Sequence, residues 1–510
     1  MSHSSRQPWS TPLCLRMLTG ITLVATGLAL PPAAAAQSPA SQLSRADSTL
    51  LYEVLSAEDR RDSTSAALAA GEMHRDPRIA AIARRARARL RDSTFAARDV
   101  LGQPDASRGL PTWPEPEWAG RFRALGGREG DCAPLIAAFS DSAVQVRQRA
   151  ITLSGQRRSC AGNDAVATRL QQFIETGVQY LQTNGRSRRP GQASWHHAAE
   201  ALVSLSRVAP EAAAAQRRAL VAHPSPFLRR AVARSAAITG DTAALRALLR
   251  DSDGNVQEAA IRGLSSLVGL AAADEYRRFI GYGTPQVALA AAEALKDARD
   301  SVTLRAAAQE GLRRTQRNHA SERDIRDALR AIVGLPPERW SPGRRDSLPW
   351  DAVALALGER RFVGVTMSRL HGGSGFTVEL RGDVAPIQAA RVLAQVRAGG
   401  YNGNAWHRVE PNFVIQGGSP HDNEYSGSAR FVVDELSTIA HPRGSVGMST
   451  RGHSTGDLQW FVNLRDNARL TGAYTVFAVV VEGMDAVDAV MEGDEIYVMR
   501  EVSAPRPSRP

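Results

Sequence analysis

An arginine among strand-like residues is the first feature of the sequence that points to chemistry. Arg408 lies in the segment 406–418, which reads WHRVEPNFVIQGG. A lone arginine in such surroundings needs an ion-pair partner or a cleft. We therefore treat Arg408 as a candidate functional residue. We expect the preceding His407 to point to the opposite face of the strand, as a buried hydrogen-bonding residue.

Other constellations that could do chemistry are missing from the sequence. It contains no phosphate-binding glycine loop, no nucleophile elbow and no zinc-type Cys/His spacing. His196 and His197 begin a helical segment, and we interpret them as surface or capping residues rather than as a metal pair. His441 and His453 fall in predicted loops without carboxylate or cysteine neighbours at ligand spacing. We therefore predict neither a metal site nor a cofactor.

The first residues have the pattern of a secretory signal peptide. Arg6 and Arg16 precede the apolar run Met17–Leu30, and the small residues Ala33–Ala36 follow it. This run is shorter than the roughly 20 residues of a membrane-spanning helix. We assign residues 1–36 to a signal peptide and predict an exported protein, periplasmic or secreted, with no transmembrane span after cleavage. A retained N-terminal anchor is the alternative.

Two cysteines, Cys132 and Cys160, remain after that segment is removed. An oxidising compartment would allow a disulfide between them to persist. The bond requires Cα atoms within about 7 Å of each other. A disulfide and two separately buried thiols both remain open at this point.

The net charge of +11 arises mainly from arginine, which is spread over alanine-rich helical segments. Aromatic residues make up only 5% of the 510 residues. A nucleic-acid-binding surface would instead combine a basic stripe with stacking aromatic residues. The composition therefore argues against nucleic acid as a partner, although a basic surface could attract acidic polymers or anionic lipid.

Residues 43–335 show apolar residues at three- and four-residue spacing, which is typical of helices. Within this region a unit repeats, and its aligned positions Leu228, Val256 and Val287 lie 28 and 31 residues apart. A period near 30 built from helix pairs predicts an all-α solenoid, similar to HEAT repeats. Such an array could bind a protein partner on its concave surface or could act as a spacer, and we keep both interpretations.

The composition changes after the helical region. Residues 336–357 are predicted to form a linker, and beyond them β-branched residues, glycines and short alternating runs predict strands. We predict a closed antiparallel β-barrel with capping helices over residues 358–500, followed by a disordered tail over residues 501–510. The predicted elements include a hairpin of RFVGVTM with GFTVELR, the strands FVIQGG, GSVGMS, LQWFVNL and YTVFAVVVEG, and a late helix Met484–Met491.

The strand-rich region resembles the cyclophilins. The matching segments occur in order: ELRGDVAP, GGYNG, WHRVEPNFVIQGG, RGSVGMS, LQWFVNL, YTVFAVVVEGMDAVD and GDEI. They cover only the C-terminal quarter to third of the chain. The resemblance implies an eight-stranded barrel with capping helices, which agrees with the strand pattern.

The resemblance also implies a reaction, the cis/trans isomerisation of X–Pro bonds in proline-containing polypeptides. Arg408 matches the catalytic arginine of the family, and Gln416 and Gln459 match the glutamines that orient it and bind the substrate backbone. The remaining substrate-binding positions implied by the resemblance are Phe413, Val414, Phe461, Leu470, Tyr474, Ser449 and Thr450.

The sequence departs from the family pattern at the rim of this site. Val414 replaces the usual methionine, and Thr450 and Arg451 replace a common Asn-Ala pair. If Arg451 crosses the pocket, the protein would bind peptide with little turnover. Our first hypothesis is therefore an isomerase that assists the folding of exported proteins, and the alternative is a weakly catalytic or non-catalytic peptide-binding scaffold.

Overall fold

The computed structural model describes residues 43–91, 109–184, 193, 195–281, 283–298, 302–317, 319–338, 348, 350–367, 374–437 and 439–505. The predicted signal peptide, residues 1–36, and residues 506–510 of the predicted tail lie outside this description. Over the described ranges, no helix has both the length and the apolar character that a membrane crossing requires.

The described chain up to residue 338 is helical, as predicted. Its α-helices are α1 (Arg45–Asp59), α2 (Ala66–Glu72), α3 (Pro77–Arg91), α4 (Trp118–Ala124), α5 (Ala133–Ala138), α6 (Val144–Ser154), α7 (Asp164–Asn184), α8 (His196–Val208), α9 (Pro210–Leu220), α10 (Pro226–Thr239), α11 (Thr242–Leu248), α12 (Gly254–Val268), α13 (Ala273–Arg277), α14 (Pro285–Ala294), α15 (Val302–Arg314) and α16 (Arg323–Ile332).

Local sequence sets the helix starts. The Asp253 side chain caps α12 by accepting hydrogen bonds from the backbone N–H groups of Asn255, at 2.9 Å, and Val256, at 3.2 Å. Helices α10 and α14 begin at Pro226 and Pro285, where the missing N–H group costs no intrahelical hydrogen bond.

The helices that carry the repeated segment pack against each other in order. Helices α6, α8, α10, α12, α14 and α16 form this series, each contacting the next. The aligned positions Leu228, Val256 and Val287 are all fully buried. The three aligned positions therefore belong to the core within which these helices contact each other.

The predicted helical domain, residues 43–335, is divided between two hydrophobic cores. One core lies within α4–α16. The other joins Leu51, Leu68 and Ile82 of α1–α3 to the β-sheet and its helices. The first three helices therefore pack with the C-terminal domain rather than with the other helices, because their apolar faces are covered there.

The C-terminal region contains one antiparallel sheet of eight strands in the order β3-β4-β6-β5-β7-β2-β1-β8. The strands are β1 (Arg361–Met367), β2 (Gly375–Leu380), β3 (Arg408–Glu410), β4 (Val414–Gly417), β5 (Ser445–Met448), β6 (Trp460–Asn463), β7 (Val476–Glu482) and β8 (Ile496–Val502). The predicted hairpin is confirmed, since β1 and β2 are antiparallel partners.

The sheet curls so that its two edges approach each other beside β3 and β8. The Trp406 N–H donates to the Asp494 carbonyl at 2.8 Å, and the Gly493 N–H donates to the Trp406 carbonyl at 2.9 Å. Two further backbone bonds join Gly403 and Asn404 to Ile496, at 2.7 and 2.9 Å. The edges therefore meet through the segments that precede the strands, and β3 and β8 are not paired along their own length.

Three helices accompany the sheet, and some boundaries differ from those predicted. Helix α17 (Trp350–Gly358) lies in the predicted linker except for its last residue, and α18 covers Pro386–Arg397. Helix α19 covers Met484–Asp488 and is shorter than predicted. Strand β8 continues to Val502, into the predicted tail, because it pairs with β1 along that length.

The two cysteines are joined in the structure. Cys132 and Cys160 form a disulfide with their Cα atoms 5.2 Å apart. Both residues lie in the core of α4–α16.

Candidate active site

Sheet register brings the candidate residues into one row. Arg408 of β3 lies opposite Gln416 of β4, and Gln416 lies opposite Phe461 of β6. Directly opposed residues of antiparallel strands project from the same face. The guanidinium, the amide and the aromatic ring are therefore neighbours, although their residues are far apart in sequence.

The next residue of this row, Gly447 of β5, makes room for the Phe461 ring. Gly447 is the register partner of Phe461. A Cβ atom at Gly447 would lie 2.3 Å from the ring of Phe461. The glycine is therefore required by close approach.

A hydrogen-bond chain orients Arg408. Its Nη1 donates to Oε1 of Gln416 at 3.3 Å, and the Gln416 Nε2 donates to Oε1 of Gln459 and to Oγ of Ser449, both at 3.1 Å. The Gln459 amide in turn donates to the Ser426 carbonyl at 2.6 Å. Both glutamines are buried. Because the donors of Gln416 are occupied, its oxygen is left to face the guanidinium.

Two carboxylates balance the charge of Arg408 at long range. Oε1 of Glu424 lies 3.4 Å from the Arg408 Nε, and Oε1 of Glu410 lies 3.9 Å from its Nη2. The Arg408 side chain is 36% exposed and both glutamates are more exposed. Exposed ion pairs of this kind contribute little to the free energy of unfolding. The guanidinium therefore keeps donor capacity for a ligand.

Aromatic and apolar residues adjoin this row. Phe461 is buried and contacts the ring of Tyr474 edge-on, with 5.6 Å between centroids. Phe413 is half-buried, and its carbonyl accepts from Nδ2 of Asn467 at 3.1 Å. The Leu470 N–H donates to the Asn467 carbonyl at 2.9 Å. Asn467 therefore ties the loop that carries Leu470 to Phe413, a role that no pattern in the sequence indicated.

The predicted departures from the family also have defined places. Val414 is buried in β4, and Thr450 is half-buried just after β5. The Arg469 guanidinium carbon lies 4.4 Å from the centroid of the Phe413 ring. This cation therefore covers part of the exposed side of Phe413.

The sequence of this region matches one known family. The model for the cyclophilin-type peptidyl-prolyl cis-trans isomerases matches residues 362–506. A probable peptidyl-prolyl cis-trans isomerase of Brucella suis is 37% identical over 131 residues, 23% of this chain and 67% of the relative. Peptidyl-prolyl cis-trans isomerase B of Bacillus subtilis is 33% identical over 135 residues, 26% of this chain and 92% of the relative.

A solved cyclophilin-type isomerase of Cryptosporidium parvum aligns with 29% of this chain and 100% of its own length, with 22% identity and a TM-score of 0.27. The family membership rests on the sequence relatives. This chain belongs to the cyclophilin-type peptidyl-prolyl cis-trans isomerases.

Arg451 of this isomerase contacts the helical region and residue 424. Its Nε lies 2.6 Å from Oδ2 of Asp324 in α16, and its Nη1 donates to the Glu424 carbonyl at 2.5 Å. The Arg323 Nη1 donates to the Arg451 carbonyl at 3.2 Å. The same Glu424 carbonyl accepts from Gln459 at 3.0 Å. The helical region therefore contacts the loop that follows Ser449 and Thr450.

Helix α1 holds the same loop from another side. Oγ of Ser454 donates to Oδ1 of Asp59 at 3.0 Å, and His453 lies 2.9 Å from Asp59 and 3.2 Å from Asp434. Both carboxylates come from distant parts of the chain, so the local spacing around His453 gave no sign of them. Burial raises the pKa of Asp434. Across the described ranges, no group of three His, Cys, Asp or Glu side chains is placed to hold a metal ion.

His441 packs against Phe461 of the row of candidate residues. Its ring stacks on Phe461 with centroids 6.1 Å apart. Its Nε2 lies 3.2 Å from the Tyr474 carbonyl, and its Nδ1 lies 3.4 Å from Nδ2 of Asn463. Burial lowers its pKa to about 4, so the ring is neutral at pH 7 and Nε2 carries the proton.

The other histidines differ in part from the expectations. His196 and His197 are buried rather than at the surface, because α8 lies inside the helix stack. Their Nε2 atoms face the carbonyls of Glu492, at 2.6 Å, and Val144, at 3.2 Å. His407 is largely buried, but neither ring nitrogen has a hydrogen-bond partner among the described residues. Burial lowers its pKa to about 4.

Proposed function

We propose that this chain isomerises X–Pro bonds with Arg408 as its catalytic residue. The observation that carries the proposal is the row of Arg408, Gln416 and Phe461, in which a charged donor fixed by a buried amide lies beside an aromatic ring. Family membership supports the reaction class.

The reaction requires little more than this arrangement. Rotation about the X–Pro bond is opposed by amide resonance, with a barrier of about 20 kcal/mol. A donor that engages the prolyl nitrogen as it becomes pyramidal weakens that resonance, and it is most effective when it is already in place. The Arg408 guanidinium provides this donor, because Gln416 fixes its direction. No covalent intermediate and no cofactor is needed.

The substrate sites follow from the same geometry. We propose that Phe413, Val414, Phe461, Leu470 and Tyr474 seat the proline ring, and that Gln459, Ser449 and Thr450 contact the substrate backbone. Gln459 and Ser449 already bond to Gln416, so substrate contacts and the orientation of Arg408 are coupled.

For the biological role, we propose that the isomerase acts on exported proteins and that its helical region binds or positions them as a HEAT-like solenoid. The series of stacked helices from α6 to α16 supports this arrangement. We also propose that the eight-stranded sheet forms a closed barrel. Its edges join through residues 403–406 and 493–496.

The alternative, a scaffold that binds without turnover, depended on Arg451 crossing the pocket. Arg451 is instead paired with Asp324. This contact favours catalysis.

Catalysis is tested with the full chain, since α1–α3 share a core with the sheet and the C-terminal domain alone lacks their cover. Exchange between the cis and trans forms of a short proline peptide is measured by NMR for the wild type, Arg408→Lys and Arg408→Ala. The expected order of rates is wild type, then lysine, then alanine, because lysine keeps the charge but loses the rigid fork. The exposed Arg430→Ala is the matched control. Equal rates for all four proteins would exclude Arg408 as the catalytic residue.

A further inference from the structure

A groove lies between the helical region and the edge of the sheet that carries Arg408. Its volume is 680 Å³. One wall is formed by α8, α10 and α12. The other wall is formed by His407, by strand β3 and by residues 422–425. Arg408 lines this second wall. The groove is therefore continuous with the proposed active site, and a polypeptide that binds at Arg408 has this space beside it.

The floor of the helical wall suits an extended chain. Ala237, Ile238 and Ala259 lie along it, are half-buried, and present only small or aliphatic groups. Small side chains allow a peptide backbone to approach the helices closely. The surface between α10 and α12 is thus apolar at its base and charged at its rims.

The charges of the helical wall are mainly positive. Arg207, Arg230, Arg234 and Arg262 line the groove from this side, against one acid, Glu258. Most of these cations are already neutralised. Arg262 pairs with Glu258 at 2.9 Å and with Glu293 at 2.7 Å, Arg230 pairs with Glu492 at 2.5 Å, and Arg234 pairs with Glu200 at 2.5 Å.

Arg207 is different. It is exposed at the end of α8, and no ion pair of its guanidinium occurs within the described residues. The nearby Arg234 pairs with Glu200, and no other cation of the described residues lies at salt-bridge distance from that carboxylate. Among the described residues, Arg207 is therefore the one arginine of the helical wall without an ion pair, although Glu200 attracts it and Glu410, Asp422 and Glu424 line the opposite wall.

We propose that the helical region forms the second wall of the client-binding groove and that Arg207 selects extended segments with an acidic residue near the isomerised proline. This inference rests on the proposed isomerase function. The occupant is a stretch of the client chain itself, because the groove begins at the residue that would act on its proline. The selectivity is electrostatic, so it should weaken as salt increases.

The test uses the full chain and two series of long proline peptides. In one series a glutamate is placed, in turn, at each position flanking the proline. In the other series a lysine is placed at the same positions. The measured quantity is the ratio of kcat/KM for matched glutamate and lysine peptides. We expect the wild type to prefer glutamate by about two- to fivefold at the best position, the effect of one partly exposed ion pair. Arg207→Glu should invert this ratio, and Arg207→Gln should remove it.

Arg218→Glu is the matched control, since Arg218 is exposed on α9 and does not line the groove. It should keep the wild-type ratio. A ratio that is unchanged in Arg207→Glu would overturn the proposal, and a ratio is insensitive to partial loss of folded protein. Failure of the isomerase function itself would be recognised separately, because the wild type would then not accelerate exchange in a short proline peptide.

Discussion

Arg451 and Asp324 form an ion pair, 2.6 Å between Nε and Oδ2, that connects the loop after Thr450 to helix α16. Arg451 replaces the second residue of an Asn-Ala pair that is common in cyclophilins, and Asp324 of the helical region pairs with its charge. An array that the sequence suggested to be a spacer or a binding module therefore also contacts the loop that follows the proposed substrate-binding residues Ser449 and Thr450.

Asp324→Asn should raise KM more than it lowers kcat. Without Asp324, Arg451 keeps its bond to the Glu424 carbonyl but loses its ion pair, so the loop that carries Thr450 is held less firmly before substrate binds. We expect kcat/KM to fall about two- to fivefold, as for loss of one partly buried ion pair. Steady-state kinetics separates the two parameters. Asp274→Asn, which removes an exposed ion pair of α13, should change neither. A fall in kcat at constant KM would contradict a positioning role.

Gln416→Leu should reduce activity although Arg408 remains. The substitution removes the acceptor that orients the guanidinium and leaves Gln459 and Ser449 without their bond to Gln416. Unpaired buried groups of this kind cost about 1–3 kcal/mol in the free energy of unfolding. Denaturant unfolding and exchange kinetics should therefore both respond. Unchanged kinetics in a destabilised protein would show that Gln416 is only structural.

Gly447→Ala should displace Phe461, because the new Cβ would lie 2.3 Å from its ring. Both the melting temperature and kcat/KM should fall. The matched substitution Gly120→Ala in α4, where no atom lies within 4 Å of the new Cβ, should be neutral or should stabilise the protein by about 0.5–1 kcal/mol. If the two variants had the same melting temperature and kcat/KM, Phe461 would not approach β5 as closely as described.

His441 should make the protein less stable in acid. Its pKa is about 4 in the folded state and about 6.5 when unfolded, so the unfolded chain binds its proton first. Its contribution to stability is complete above pH 6.5, decreases as the pH falls toward 4, and levels off below that.

The His441 contribution is measured from the free energy of unfolding at several pH values. His441→Gln should flatten the dependence between pH 4 and 6.5, whereas the exposed His421→Gln should preserve it. If the free energy of unfolding of the His441 variant depended on pH as in the wild type, the ring would not be buried as a neutral base.

Sequence patterns predicted the local elements well. Alternating apolar residues indicated the strands, and apolar residues at three- and four-residue spacing indicated the helices, because these signals depend on neighbours within a few positions. The relations among Arg408, Gln416 and Phe461 came from family motifs, and the sheet register explains why these positions form one row.

Contacts between distant segments could not be predicted in this way. Asp59 lies 395 positions from Ser454, and neither residue belongs to a recognisable motif. Likewise, the spacing of α1–α3 indicated an apolar face but not the partner that covers it. His196 and His197 were misjudged because a polar residue at a helix start is usually exposed, whereas here His196 meets the Glu492 carbonyl of the C-terminal domain and His197 meets the Val144 carbonyl of α6.

The central claim is that Arg408, oriented by Gln416, lowers the barrier to X–Pro rotation. The most direct test is a double-mutant cycle of Arg408→Ala and Gln416→Leu in the full chain, read as the NMR exchange rate of a proline peptide. We predict that Arg408→Ala lowers the rate about 100- to 1,000-fold, as for loss of one preorganised donor. We also predict that adding Gln416→Leu lowers it no further. A wild-type rate in Arg408→Ala would contradict the account.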